Sequence, residues 1–126
     1  RKDNIRAKTL ENLKALKLPF ADSAHLFTRS TTSAKQGRRD IVSKKHTIFM
    51  LFGDNLNDFA EVFDGKMASE RKHLSDSLQK AFGRRYFILP NPMYGDWANA
   101  ILNYARNLSP AGRDSLAKIA LLPKRP

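Results

Sequence analysis

Thr47-Ile-Phe-Met-Leu-Phe-Gly-Asp-Asn-Leu-Asn-Asp58 decides the fold of this chain. Thr47–Phe52 is a continuous apolar run, the pattern of a strand buried on both faces, as in parallel sheets. Gly53-Asp54 ends it. Two carboxylates four residues apart, Asp54 and Asp58, follow directly, and open α/β sheets hold their ligands at the carboxyl ends of their strands. If Asp58 lies in a first helical turn or a tight loop, both carboxylates can face one point. Hard cations such as Mg2+ take oxygen ligands of this kind, often one or two carboxylates completed by waters and substrate oxygens. Gly53 would allow close backbone approach. The same residues also suit a capped loop rich in turn-forming Asn and Asp, and on pattern alone both readings stand.

Outward from this stretch, apolar spacing predicts a helix over 4–18, with Asp3 or Asn4 as its cap and Pro19 as its stop. A short strand is expected at 25–28. The polar, basic stretch 29–39 leads into a helix ending near Lys45. Downstream, Ser69 to Phe82 reads as a helix with Leu74, Leu78, Ala81 and Phe82 on one face and Gly83 at its stop. Tyr86–Leu89 reads as a second apolar strand, ended by Pro90. Residues 96–106 read as helical, and Ser109-Pro110 opens a last helix reaching about Leu122. The closing PKRP is expected to fray. Helices alternating with strands indicate an α/β layer fold with a parallel sheet.

At 126 residues the chain is long enough for one domain. It holds 23 Lys and Arg against 12 Asp and Glu, a net charge of +11, and its pI is near 10.3 with a mean hydropathy of −0.51. The 41% hydrophobic content and 12 aromatics are enough for a core and argue against disorder. The absence of cysteine excludes disulfides, thiolate zinc sites and cysteine nucleophiles. No apolar run approaches the roughly 18 residues of a membrane-spanning helix. The opening RKDNIRAKTL lacks the apolar segment of a secretory leader. The charge is uneven: 1–46 carries a net +8, whereas 54–64 (DNLNDFAEVFD) holds four carboxylates and no Lys or Arg. Such a patch suits a solvated helix start or a cation site. His25, His46 and His73 have no zinc-motif spacing, and no serine sits in a GxSxG context.

IFMLFGDNLNDF resembles the fourth motif of the haloacid dehalogenase superfamily in its GDxxxD form, and the flanking residues resemble the class C nonspecific acid phosphatases. Arg1-Lys2-Asp3, Thr9 and Asn12-Leu13 resemble the stretch after that family's second motif. Ser33-Ala34-Lys35-Gln36-Gly37-Arg38 is similar to its lysine motif. Arg84 to Asn91, followed by Tyr94-Gly95-Asp96-Trp97, is similar to its FGK–LPN–YGDW signature. The likeness covers residues 1–105 in family order. It implies a haloacid dehalogenase-like parallel sheet with flanking helices, and an Mg2+-dependent phosphomonoesterase working through a phosphoaspartate. Its substrates would be phosphomonoesters, nucleoside 5'-monophosphates among them. It further implies Asp54 as a direct Mg2+ ligand, Asp58 as support of the metal shell, and Lys35 as the ammonium beside the transferring phosphoryl group. Tyr94 would be the ring against a nucleobase. A periplasmic or outer-membrane location and a possible homo-oligomer belong to the same expectation. Phosphoryl transfer rests mainly on positioning and charge stabilisation, so a metal and a fixed ammonium are parts it uses.

The family's nucleophile is an aspartate in a DxDxT-type motif, and no DxD occurs here. The resemblance therefore implies that 1–126 corresponds to the C-terminal part of one phosphatase domain whose first strands and nucleophile lie outside it. The first half of the same protein is then the implied partner. Without it, the sheet would be interrupted between 25–28 and the strands at 47–52 and 86–89, and the chain alone would be unstable and inactive. Two other readings are a basic nucleic-acid-binding module and a catalytically inactive interaction fragment. Arg38-Arg39, Lys44-Lys45, Arg71-Lys72 and Arg84-Arg85 motivate the first, yet the pairs are dispersed and no nucleic-acid motif is present, so no specific nucleic-acid partner is expected. The nucleic-acid reading requires binding to an unrelated duplex at low salt that is lost steeply toward physiological salt; a gel-shift titration without binding at low salt disposes of it.

Overall fold

The computed structural model describes residues 2–122. In chain order the elements are α1 (Arg6–Ala15), α2 (Gln36–Ser43), β1 (Leu51–Gly53), α3 (Ala68–Ser77), β2 (Tyr86–Ile88), α4 (Asp96–Ile101) and α5 (Pro110–Leu121). Single 3-10 turns lie at Asp3–Ile5, Leu56–Asp58, Glu61–Phe63 and Gln79–Ala81. β1 and β2 pair in parallel, with Leu51 opposite Tyr86, Phe52 opposite Phe87 and Gly53 opposite Ile88. Leu51 N–H donates to the Arg85 carbonyl and Leu89 N–H to the Gly53 carbonyl, both at 2.8 Å. Parallel pairing requires a long crossover, which residues 54–85 supply with α3 inside it. This is the α/β arrangement expected from the alternation of elements.

Several elements differ from their expected bounds. No strand forms at 25–28. Asp22 Oδ1 instead accepts from the amides of Ala24 and His25, an Asx turn that competes with extended pairing. The nearby pairing is a single bridge between Lys2 and Arg29. The strand expected over 47–52 is confined to Leu51–Gly53 and is not buried on both faces, since Phe49 is 72% exposed and Phe52 is 65% exposed. Among the described residues β1 has one neighbour, so 47–50 lack a ladder to join. α1 stops at Ala15 rather than 18 because Lys17 turns into the left-handed region (φ 53°). The Lys17 and Leu18 amides then return to the Lys14 and Leu13 carbonyls, closing the helix in a Schellman motif. α3 ends at Ser77, and a separate 3-10 turn carries the chain to Gly83, which takes φ +76°. α2 ends at Ser43, two residues before the expected Lys45. The last helix starts as expected: Ser109 Oγ accepts from Gly112 N–H and Pro110 fills the first position. Arg1 of the family-like opening and the PKRP tail lie outside the described residues.

α4 shows how a short helix serves the fold. It ends at Ile101, not 106, because Asn103 and Tyr104 both adopt positive φ (51° and 54°). The Asn103 and Tyr104 amides return to the Ala100 and Asn99 carbonyls, again a Schellman closure. Positive φ on a tyrosine is uncommon and needs compensation. The compensation is visible: Tyr104 Oη lies 2.7 Å from Asp96 Oδ2 and 3.3 Å from the Lys66 carbonyl. Burial, and then the adjoining Asp96, pushes the Tyr104 phenol up to about 12, so it acts as a donor at neutral pH.

Among the described residues, Phe59, Phe63 and Ala100 are the buried apolar ones. The Phe59 ring stacks on Tyr86 at 5.2 Å and meets Phe82 edge-on at 5.8 Å, tying the segment after β1 to β2. Beside them lies Arg71, only 4% exposed. Its guanidinium donates to the Phe63 carbonyl at 2.8 Å, to Asp96 Oδ2 at 3.2 Å and to Asn55 Oδ1 at 3.1 Å. A buried cation is tolerated where partners satisfy its donors, and here the partners come from three separate segments. Arg71→Met is expected to cost about 3 kcal/mol, because it takes the cation from partly buried Asp96 and the donor from the Phe63 carbonyl. Lys72→Met removes an exposed pair with Asp76 and is expected to change stability by less than about 0.5 kcal/mol. Urea unfolding of the two variants side by side checks the contrast; equal midpoints would refute a structural role for Arg71.

Candidate active site

The site begins where β1 runs out of ladder. After Gly53 the chain turns tightly, and Asp58 closes that turn from below. Asp58 Oδ2 accepts from the Asp54 amide at 2.9 Å and the Asn55 amide at 3.0 Å, while the Asp58 amide donates to the Asn55 carbonyl at 2.9 Å. A carboxylate receiving two backbone donors is a strong, charge-assisted anchor. It also dictates the residue before the turn: a Cβ on Gly53 would fall on the Asp58 side chain. Gly95 stands in the same relation to the Asn55 side chain. The side chain of Asp58 is only 8% exposed.

Two residues of one helical turn converge on Asp58 from the other side. Lys35, at the cap position of α2, forms an ion pair through Nζ with Asp58 Oδ1. Arg39, one turn later, donates through Nη1 to the Asp58 backbone carbonyl at 2.9 Å, and its Nε and Nη2 are held by Gln36 Oε1. Burial holds the Lys35 ammonium below the usual lysine range; the Asp54 charge opposes that shift, and Arg38 and Arg39 add to it. An ammonium has three donors, so pairing with Asp58 leaves others for a second oxygen ligand.

Asp54 sits on the open side of the turn. Its Oδ2 accepts from Asn91 Nδ2 at 3.0 Å, and Asn91 lies just past the end of β2. Asn91 Oδ1 in turn accepts from the Met93 amide at 3.0 Å and the Tyr94 amide at 3.4 Å. Lys35, Asp54, Asp58 and Tyr94, all singled out from the sequence, line one cleft of about 560 Å3 at the carboxyl ends of the strands, with Arg29, Ser33 and Asn55 also in its wall. A larger trough of about 1490 Å3 opens into it, walled by Ile5, Phe20, Phe27, Val42, Phe49 and Met50 together with Arg38 and Arg39, and it shares Lys35, Asp54, Asp58 and Tyr94 with the cleft. Tyr94 lies at the junction of the two, 66% exposed.

The four carboxylates of the acidic stretch have different environments. Asp58 is engaged with the turn and Lys35. Asp64 Oδ1 accepts from Asn57 Nδ2, which also donates to Asp96 Oδ2. Glu61 is exposed but lies outside the cleft lining, and Asp54 is the exposed carboxylate within it, with one oxygen outside these internal bonds. Among the described residues no group of three or more His, Asp or Glu is placed to hold a metal alone. One outward carboxylate with a second behind it does fit a hard cation that keeps most of its shell as water and substrate oxygen. Asp54 would hold such an ion, with Asp58 fixing the turn beneath it.

The sequence reading did not single out as site residues Asn55, Asn57, Arg71, Asn91 and Asp96, although each holds part of the cleft. Arg71 read only as half of a basic pair, because burial is not legible in a charged residue. Asn91 carried a usable signal: it follows an apolar strand at the carboxyl end, the same place that drew attention to Asp54.

Residues 1–97 match the family model of the haloacid dehalogenase (HAD) superfamily, subfamily IIIB (acid phosphatase). Among solved structures, the class C acid phosphatase from Bacillus anthracis superposes with a TM-score of 0.90 at 36% identity, covering 99% of this chain and 52% of that one. A crystal structure of the class C acid phosphatase from the same organism with tungstate bound gives a TM-score of 0.91 at 36% identity, over 99% and 53% of the two chains. This chain therefore spans about half the length of the structures it matches. With the matching sequence, fold and family model together, the chain belongs to the HAD subfamily IIIB acid phosphatases.

Proposed function

We propose that this chain forms the metal-side and substrate-side part of an Mg2+-dependent acid phosphatase that hydrolyses phosphomonoesters, nucleoside 5'-monophosphates among them. The observation that carries the proposal is the convergence of Lys35, Asp54, Asp58 and Tyr94 on one cleft at the carboxyl ends of the strands, in a chain of acid-phosphatase family. A tetrahedral oxyanion, tungstate, is bound in one of the similar structures, which supports an oxyanion site in the same fold.

In this proposal each residue acts through charge and position. Asp54 would bind the cation, whose chemistry is to neutralise phosphate oxygens and draw off developing charge. Asp58 keeps the turn closed so that the Asp54 carboxylate faces the cleft. Lys35, braced on Asp58, offers its remaining N–H donors to a phosphoryl oxygen, and such preorganised donors act strongly where water is partly excluded. Arg39 holds the helix end from which Lys35 projects. Tyr94 gives a planar face at the cleft mouth for the leaving group. The net positive charge favours approach of anionic substrates.

The covalent nucleophile, an aspartate forming a phosphoaspartate that water then hydrolyses, is assigned to the half of the protein beyond this chain. Support for that division is the coverage of about half the length of the matched structures and the apolar trough beside β1, where an additional strand would find a hydrophobic wall and an unpaired edge. Association of copies and a periplasmic or outer-membrane location remain parts of this same proposal.

On the full-length protein, Asp54→Asn is expected to lower Mg2+-dependent phosphate release about a hundredfold or more, and excess Mg2+ should restore part of it. Lys35→Met is expected to lower kcat by about 10²–10³ with no recovery at high Mg2+. Phosphate release from an aryl phosphate over a Mg2+ titration separates the two effects. Wild-type turnover in Asp54→Asn would remove the metal assignment.

A further inference from the structure

Pro90 ends β2, and Asn91 is the next residue along the chain. Both ends of its carboxamide are in use. Nδ2 donates to Asp54 Oδ2 at 3.0 Å, and Oδ1 accepts from the Met93 and Tyr94 amides at 3.0 and 3.4 Å. Two backbone donors on one side establish which end of the amide is oxygen. The Asn91 backbone carbonyl also accepts from Trp97 Nε1 at 3.1 Å. One residue therefore joins the carboxylate after β1, the loop bearing Tyr94 and the first turn of α4.

The loop has little else to hold it. Met93 is 83% exposed and Tyr94 is 66% exposed, and among the described residues no ring stacks on Tyr94. Among the described residues, the hydrogen bonds that residues 92–94 make are the two to Asn91 Oδ1. Tyr94 is thus placed in the cleft mainly through a side chain whose other end is fixed to Asp54. The chemistry of the tie is specific. A carboxamide alone among side chains of this size donates from one end and accepts at the other. Aspartate would keep the acceptor for the loop amides while setting a second negative charge against Asp54.

We infer that Asn91 is a positioning residue that sets the aromatic wall at Tyr94 from the carboxylate of Asp54, coupling recognition of a planar leaving group to the phosphate-binding end of the cleft. The kinetic consequence rests on the phosphatase proposal; the structural tie does not. Because the loop and the carboxylate share one anchor, removing the anchor affects both ends, whereas changing Tyr94 affects only one.

The test uses the full-length protein and two kinds of measurement. In Asn91→Ala, hydrogen exchange at the Met93 and Tyr94 amides is expected to accelerate about fivefold or more. Selectivity for an aryl phosphate over an alkyl phosphate should fall to the level of Tyr94→Ala. Adding Tyr94→Ala in that background should then cost little more, since coupled sites are non-additive. The near-isosteric Asn91→Asp should keep slow exchange at both amides and its aryl selectivity while losing kcat, a split that general destabilisation would not produce. Unchanged exchange in Asn91→Ala, or the same cost of Tyr94→Ala with and without Asn91, overturns the inference. If the wild-type protein releases no phosphate from either ester, the phosphatase proposal fails, and the exchange rates alone then decide the Asn91 tie.

Discussion

The Asp58 carboxylate holds the site together. It accepts the Asp54 and Asn55 amides at the end of β1 and pairs with Lys35 at the start of α2. A strand end leaves backbone donors without partners, and an ionised oxygen satisfies them better than a neutral one. The tight turn has a steric condition, the missing Cβ at Gly53, because the Asp58 side chain occupies that space. Arg39 holds the backbone of the same residue. The segment 53–58 is thus fixed from its own chain, from α2 and, through Asn55, from Arg71.

A second frame supports the first. Arg71, Asp96 and Tyr104 form a partly buried set of charge-assisted bonds that also reaches the Phe63 and Lys66 carbonyls. The Arg71 guanidinium lies 5.9 Å from the Phe63 ring centre, within the range of a cation–π contact. The frame joins the acidic turn to α4 across the crossover. Its cost is backbone strain at Tyr104, whose positive φ persists because the Schellman closure and the phenol's partners hold it there. This partly buried frame lies beneath the cleft, whose mouth at Tyr94 is exposed.

The acidic stretch 54–64 illustrates how far residue types lead. Its charge pattern left open a solvated helix start or a cation site. The structure gives them different partners: Asp58 and Asp64 are engaged in hydrogen bonds within the stretch, Asp54 meets Asn91 at the cleft, and Glu61 is exposed outside the cleft lining. Position along the chain does not separate them. What does is which amide, lysine or asparagine each one meets after folding.

The sequence by itself determined the alternation of strands and helices, the parallel pairing of the two strongest apolar runs, the family, and the candidates Lys35, Asp54, Asp58 and Tyr94. These follow from local features: apolar runs, glycine and proline punctuation, and a motif read in order. Tertiary structure decided the rest. Thr47–Phe52 is apolar enough for a buried strand, yet only Leu51–Gly53 forms one, because a strand needs a neighbour and β1 pairs only with β2 among the described residues. Residues 25–28 have strand-like side chains, yet the Asp22 carboxylate takes the neighbouring amides first. Arg71 and Asn91 look like ordinary surface residues until the chain closes around them. Their roles depend on partners 8 to 37 residues away, and a hydrogen bond across that separation exists only once the fold has brought its two ends together.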